Sequence, residues 1–243
     1  MAAGEHTIKQ YDQELESLRG RILQMGGLVE TQLRMAIDCF EQGDLRKADE
    51  AVDADERVDA EELELGRLIV NLIVRRQPAA NDLRLIMGVS RAVTDLERIG
   101  DEATKIARAA RWVHEKDVVV RTPRIRDIRV SAEAALSMLR GALDAFARLD
   151  AVAAAEIIRE DKGVDEQFRL ILRQLITFMM EDPRTIRRAL EIMWIVRALE
   201  RIGDHAKNIC EYVIYMVHGK DIRHTSLEDV AKQIDAAHAL ARR

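Results

Sequence analysis

Between Ile8 and Phe40 the apolar side chains recur every three or four residues, at Ile8, Tyr11, Leu15, Leu18, Ile22, Met25, Val29, Leu33, Ala36 and Phe40. That spacing keeps one stripe of a 3.6-residue helix apolar, which is the seam of a helix packed in a bundle. Gly43-Asp44 ends the stripe. The same pattern predicts a second helix over Leu45–Arg75 and a third that follows Pro78 and runs to about His114. The segment 116–126 holds Pro123 and breaks the pattern, so a junction is expected there. A fourth helix is expected over Arg124–Leu149 and a fifth over Ala151–Met180. Pro183 suits the first turn of a sixth, which continues to His218. Beyond a loop, Ser226-Leu227-Glu228-Asp229 has the form of a capping box. Leu227, Val230, Ile234 and Ala237 then predict a short amphipathic tail helix.

Composition narrows this to an all-α protein. The 243 residues include 12 Gly and 3 Pro, about half the usual combined share of roughly 12%. Sheets joined by tight turns need more breakers than that. Charged residues make up 33% and aromatics 4%, as in a bundle cored by aliphatic side chains, and 48% hydrophobic content excludes a disordered chain. The net charge of -5 argues against a dedicated nucleic-acid binder, whose footprint is basic. Cys39 and Cys210 form neither a disulfide framework nor a zinc pattern, so a reducing cytoplasm is the expected setting. No apolar run approaches the ~18 residues of a membrane span, and the first residues lack the apolar core of a signal peptide.

The chain repeats itself. Leu96-Glu97-Arg98-Ile99-Gly100-Asp101-Glu102-Ala103-Thr104-Lys105-Ile106 recurs 103 residues later as Leu199-Glu200-Arg201-Ile202-Gly203-Asp204-His205-Ala206-Lys207-Asn208-Ile209, with eight of eleven positions identical. Upstream, Asp55 to Asp59 recurs as Asp161 to Asp165, and Pro78 as Pro183. The expected organisation is a first three-helix repeat over 1–118, a second over 119–220 and a tail over 221–243.

Duplicated core residues explain the apolar matches but not the acidic ones. Asp55/Asp59, Glu97/Asp101, Asp161/Asp165 and Glu200/Asp204 are each four apart, on one helix face, where like charges repel by a few tenths of a kcal/mol. Asp161 and Asp165 fall where the fifth helix's seam calls for apolar residues, and Asp55 sits similarly between Val52 and Val58. Glu97, Asp101, Glu200 and Asp204 stand one step beside their seams, with Gly100 and Gly203 leaving space. Carboxylates aimed at a core must be paired, protonated or bound to metal. The midpoints between the acidic pairs fall at Pro78 and beside Pro183. Hairpin turns there bring each set of four carboxylates to one height, roughly 30 Å from the turn at about 1.5 Å per residue.

All-oxygen donor sets suit hard or borderline cations such as Mg, Mn, Ca or Fe. The di-iron bundle signature Glu-x-x-His is missing, since His205 follows Asp204 directly and turns off its face. The competing reading is salt bridging, because Arg98, Arg197 and Arg201 lie three residues from Asp101, Glu200 and Asp204. The nine acids between Asp49 and Glu64 read mainly as a solvated face. Arg75, Arg76, Arg184, Arg187 and Arg188 near the turns read as solvated charge, with docking to an acidic partner or phosphate as the alternative. No histidine or cysteine spacing suggests a catalytic triad or zinc site, so no enzyme is expected.

With these motifs in place, the chain resembles the PhoU family of phosphate-signalling regulators. The duplicated acidic-x-x-x-aspartate motif carries the resemblance, together with Gln77-Pro78-Ala79-Ala80-Asn81-Asp82-Leu83-Arg84 and Met25-Gly26-Gly27-Leu28-Val29-Glu30. It spans about residues 6 to 218. It implies two pseudo-symmetric three-helix bundles and multinuclear metal clusters on the paired motifs, most often iron, with Mn, Mg, Zn or Ca as alternatives. It also implies negative control of the phosphate-starvation response by a cytoplasmic, commonly homodimeric adaptor. That adaptor works between the ATPase of the phosphate ABC transporter and a sensor histidine kinase, and reaches the membrane only through them. One local departure, Glu181-Asp182-Pro183-Arg184 against Arg76-Gln77-Pro78-Ala79, suggests that the two turn surfaces meet different partners. The readings kept beside this one are a carboxylate-bridged metal oxidase or metal store, and a purely structural helical scaffold.

Overall fold

The computed structural model describes residues 2–115 and 125–222. Among them are six α-helices and no strand: α1 (Ala2–Gln42), α2 (Leu45–Arg76), α3 (Ala80–Glu115), α4 (Ile125–Arg148), α5 (Ala151–Glu181) and α6 (Ile186–His218). The expected junction at Pro123 and the expected tail helix at 227–237 lie outside the described residues.

The seams predicted from periodicity are the buried faces. Leu18, Ile22, Met25, Val29, Leu33, Ala36 and Phe40 of α1 are all buried. The breaks between helices have local causes. Asp44 caps α2 by accepting from the Arg46 amide at 3.1 Å, and Asp150 caps α5 by accepting from the Val152 and Ala153 amides. Capping of this kind satisfies amides that have no partner inside the helix. Gln77 takes a left-handed conformation with φ 45° and closes α2 through its amide to the Ile73 carbonyl, just before Pro78. Pro183 does not open α6 directly. It begins a single 3-10 turn, Pro183–Thr185, whose first amide bonds to Asp182, and α6 starts at Ile186. A tighter turn is how the chain reverses here without a longer loop.

α1 and α2 pack on α3, and α4 and α5 pack on α6, so each repeat is a three-helix unit. The two units join face to face through α3 and α6, with α1 also touching α4. The α3–α6 approach is close: a Cβ on Gly88 would meet Met216 Cγ and Sδ at 2.5 Å. α3 and α6 are therefore the central pair, and both carry the repeated acidic motif.

Candidate metal-binding clusters

The predicted register of each hairpin is present. An ideal Cβ on Gly100 of α3 would lie 3.3 Å from Asp55 Oδ1 and 3.3 Å from Val58 Cγ1 of α2. On Gly203 of α6 it would lie 3.4 Å from Val164 Cγ1 and 3.9 Å from Asp161 Oδ1 of α5. The missing side chains thus let the aspartate-bearing helix approach at the height of the Glu97/Asp101 and Glu200/Asp204 pairs. Asp55, Asp59, Glu97 and Asp101 form one cluster. Asp161, Asp165, Glu200 and Asp204 form the other.

The carboxylates in each cluster feel one another. Burial, then the charges of Asp55 and Asp101, hold the Asp59 carboxyl above its ordinary range. Glu97 is raised by burial and by Asp101, Glu62 and Asp59, against the Arg98 charge. Glu200 is raised by burial and by Asp204, Asp165 and Asp161, against the Arg197 charge. Asp204 is raised by burial and by Asp161 and Asp165, against Lys207. Burial is the first cause in each case, and the neighbouring carboxylate charges add to it.

Their burial differs from the expectation in part. Asp161 is buried, but Asp165 and Asp55 are only half-buried, and Asp59 and Asp101 face solvent. Asp165 and Asp55 therefore lie at the rim of the helix–helix contact once the second helix is in place, while Asp161 lies inside it. Among the described residues no three His, Cys, Asp or Glu side chains are drawn together into a preformed cage. Across each hairpin, carboxylates on the two facing helices still sense one another's charge.

The arginines behave differently from simple i,i+3 pairing. Arg197 does bond Glu200, at 2.8 Å. Arg201 instead crosses to Glu102 on α3, at 3.1 Å, where Glu102 also meets Lys105 at 3.0 Å. Glu102 is buried between the two repeats, so it draws the guanidinium away from Asp204. Two further groups were not legible from spacing. Gln32 of α1 is fully buried, and its Nε2 shares two hydrogens among Asp55 Oδ1 at 2.9 Å, Thr104 Oγ1 at 3.0 Å and the Gly100 carbonyl at 3.2 Å. Its Oε1 is buried without a partner and lies 3.1 Å from the Cβ point over Gly100, next to Asp55 Oδ1. In the second cluster Lys207 Nζ donates to Asp161 Oδ2 at 2.8 Å. Burial works against the Lys207 charge, but the bond to Asp161 and the surrounding carboxylates outweigh it and raise its pKa.

His205 has an ordinary structural role. Its Nδ1 is 2.7 Å from Asp95 Oδ1, buried between α3 and α6, and Asn208 Nδ2 donates to the same oxygen at 3.1 Å. Cys39 and Cys210 are both buried, and burial raises both thiols. Three of the basic residues at the turns have intramolecular partners in the structure. Arg76 forms a bidentate pair with Glu14 at 2.8 and 2.7 Å, Arg184 pairs with Asp182, and Arg187 stacks 4.9 Å over Trp112.

The PhoU domain matches the chain twice, over residues 22–110 and 128–213, once on each three-helix unit. The chain belongs to the PhoU family. It is 45% identical over 230 residues to a phosphate-specific transport system accessory protein PhoU homolog of Pseudomonas putida, covering 94% of this chain and 89% of that protein. It is 41% identical over 228 residues to the accessory protein PhoU of Escherichia coli, covering 94% and 93%. Among solved structures, PhoU from Pseudomonas aeruginosa superposes with a TM-score of 0.83 at 45% identity, covering 86% of this chain and all of that one. The phosphate transport system regulatory protein PhoU from Streptococcus pneumoniae gives 0.79 at 25% identity, covering 87% and 98%. The PhoU fold expected from the repeat is therefore this chain's fold.

Proposed function

We propose that this protein is a non-enzymatic accessory of phosphate-specific transport that represses the phosphate-starvation response. In this reading it couples the transporter's ATPase to a sensor histidine kinase, works in the cytoplasm as a homodimer, and carries metal ions on its two carboxylate clusters. The observation that carries it is the PhoU domain present on both halves of the chain. Relatives at 41 to 45% identity are named as accessory proteins of the phosphate-specific transport system. No described helix is long and apolar enough to cross a membrane, so in this reading the membrane is reached through partners.

The donor set fits a hard or borderline cation, with iron first and Mn, Mg, Zn or Ca behind it. A bound cation would supply the positive charge that the raised carboxyls lack. Asp55, Asp59, Glu97 and Asp101 would hold it in the first repeat, and Asp161, Asp165, Glu200 and Asp204 in the second. Gln32 and Lys207 fix the innermost aspartate of each set. An oxidase is disfavoured by the imidazole nearest the clusters, because His205 is spent on Asp95.

Deleting the gene and following a phosphate-starvation reporter in phosphate-rich medium tests the regulatory reading. Derepression is expected, and normal repression would contradict it. Capture of the transporter ATPase and the kinase by tagged protein tests the adaptor step.

A further inference from the structure

The two clusters have the same types of carboxylate but different partners: cationic side chains at the second and a neutral amide at the first. In the second, three of the four carry an ion pair within the chain. Lys207 holds Asp161 at 2.8 Å, Arg197 holds Glu200 at 2.8 Å, and Arg169 reaches Asp165 at 3.9 Å. In the first, no cationic side chain of the described residues lies within ion-pair distance of Asp55, Asp59, Glu97 or Asp101. Position for position, two of the differences between the copies bear on these partners. Thr104 of α3 stands where α6 has Lys207, and Gln32 of α1 faces Gly100 as Met138 of α4 faces Gly203. The first cluster thus receives a neutral amide where the second receives an ammonium. The fully buried Gln32 also presents Oε1, without any donor, beside Asp55 Oδ1. A buried carbonyl oxygen left without a partner costs free energy that a cation would recover.

We infer that Lys207 is a tethered cation that occupies the charge position of a metal in the second cluster, and that the first cluster is the stronger metal site. This rests on the metal-binding reading above. Lys207 Nζ is an ammonium with three donors and no acceptor, so it satisfies Asp161 but cannot bridge four carboxylates as a divalent ion does. A metal entering the second cluster must displace that bond or share Asp161 with a like charge. A metal held by the first would meet no ammonium on its innermost aspartate, which is bonded to a neutral amide. The second repeat therefore stands without metal, while the first depends on it. One protein then reports metal supply through one half and keeps its shape through the other.

Chelator-stripped protein titrated with Mn2+, with bound metal read by equilibrium dialysis and elemental analysis, tests this. Wild type is expected to show a tight and a weak class of sites. The tight class is lost in Asp59→Asn/Asp101→Asn and kept in Asp165→Asn/Asp204→Asn. Lys207→Thr, which copies the first repeat, is expected to tighten the weak class by roughly tenfold, or about 1.4 kcal/mol. Gln32→Met/Thr104→Lys, which copies the second repeat into the first, is expected to weaken the tight class similarly, and it keeps the test open should Lys207→Thr fold poorly. A tight class that survives Asp59→Asn/Asp101→Asn, or affinities unmoved by both swaps, overturns the inference and leaves the metal reading standing. No Mn2+ uptake by wild type at any concentration overturns both.

Discussion

The first repeat meets its innermost aspartate with Gln32, and the second meets its own with Lys207. The hairpin, the glycine at the helix contact and the four acidic positions are shared. Duplication keeps the scaffold, and the donor to its innermost aspartate changes from a neutral amide to an ammonium. The three positions at which the repeated motifs differ make the point. Glu102/His205, Thr104/Lys207 and Lys105/Asn208 all make contacts that set the repeats apart or join them.

The largest expected effect lies between the repeats, where neither cluster is touched. Asp95→Ala leaves His205 and Asn208 with no carboxylate between α3 and α6. It should destabilise the protein by about 2–3 kcal/mol, the cost of orphaning buried polar groups, as read by urea denaturation. If Mn2+ still prefers the first cluster in this variant, the asymmetry belongs to the clusters and not to the interface.

Next comes the lysine itself. Without metal, Lys207→Thr leaves buried Asp161 uncompensated and should cost about 1–2 kcal/mol, less than a fully buried pair because Lys207 is a third exposed. Saturating Mn2+ should restore much of the lost Tm. A loss that metal does not repair would mean the lysine is structural only.

The glycines sharpen the comparison further. Alanine in a helix interior is favoured over glycine by about 1 kcal/mol. At Gly203 the neighbours stand at ordinary distances, so Gly203→Ala should show that gain. At Gly100 the new methyl meets Gln32 Oε1 at 3.1 Å and Asp55 Oδ1 at 3.3 Å, and those residues are held together by a 2.9 Å bond. Gly100→Ala should therefore show no gain or a loss in the same denaturation assay.

The smallest effect is that of pH on metal-free protein. Asp59, Glu97, Glu200 and Asp204 bind protons more tightly folded than unfolded. Their contribution to stability therefore falls as pH rises through their raised values, and recovers on acidification toward the ordinary range near about 4. Glu14 has the opposite sign. Its bond to Arg76 holds its pKa low, so its contribution is present above the ordinary range and lost below it. Metal-free protein should gain about 1–2 °C in Tm between neutral and mildly acidic pH before losing stability below. In Asp59→Asn/Asp101→Asn the gain should shrink.

The helices and the two hairpins were readable in the sequence because periodicity and turn residues are local signals. The eight carboxylates were readable because the repeat marked them. What could not be read was supplied across the fold. Gln32 comes from a third helix and sits beside Leu33 in an ordinary seam. The competition of Glu102 for Arg201 depends on α3 facing α6. Arg201 and Asp204 have the spacing of an ion pair, and the spacing says nothing of a better acceptor on another helix. Asp165 and Asp55 look like core positions on their own helices, yet they lie at the rim once the helices are packed.

The most direct measurement is anomalous X-ray scattering from crystals of wild-type protein soaked in a rising series of Mn2+ concentrations. The account predicts a peak first between Asp55, Asp59, Glu97 and Asp101, with the position between Asp161, Asp165, Glu200 and Asp204 filling only later. Equal peaks at both clusters throughout the series, or filling of the second before the first, would contradict it.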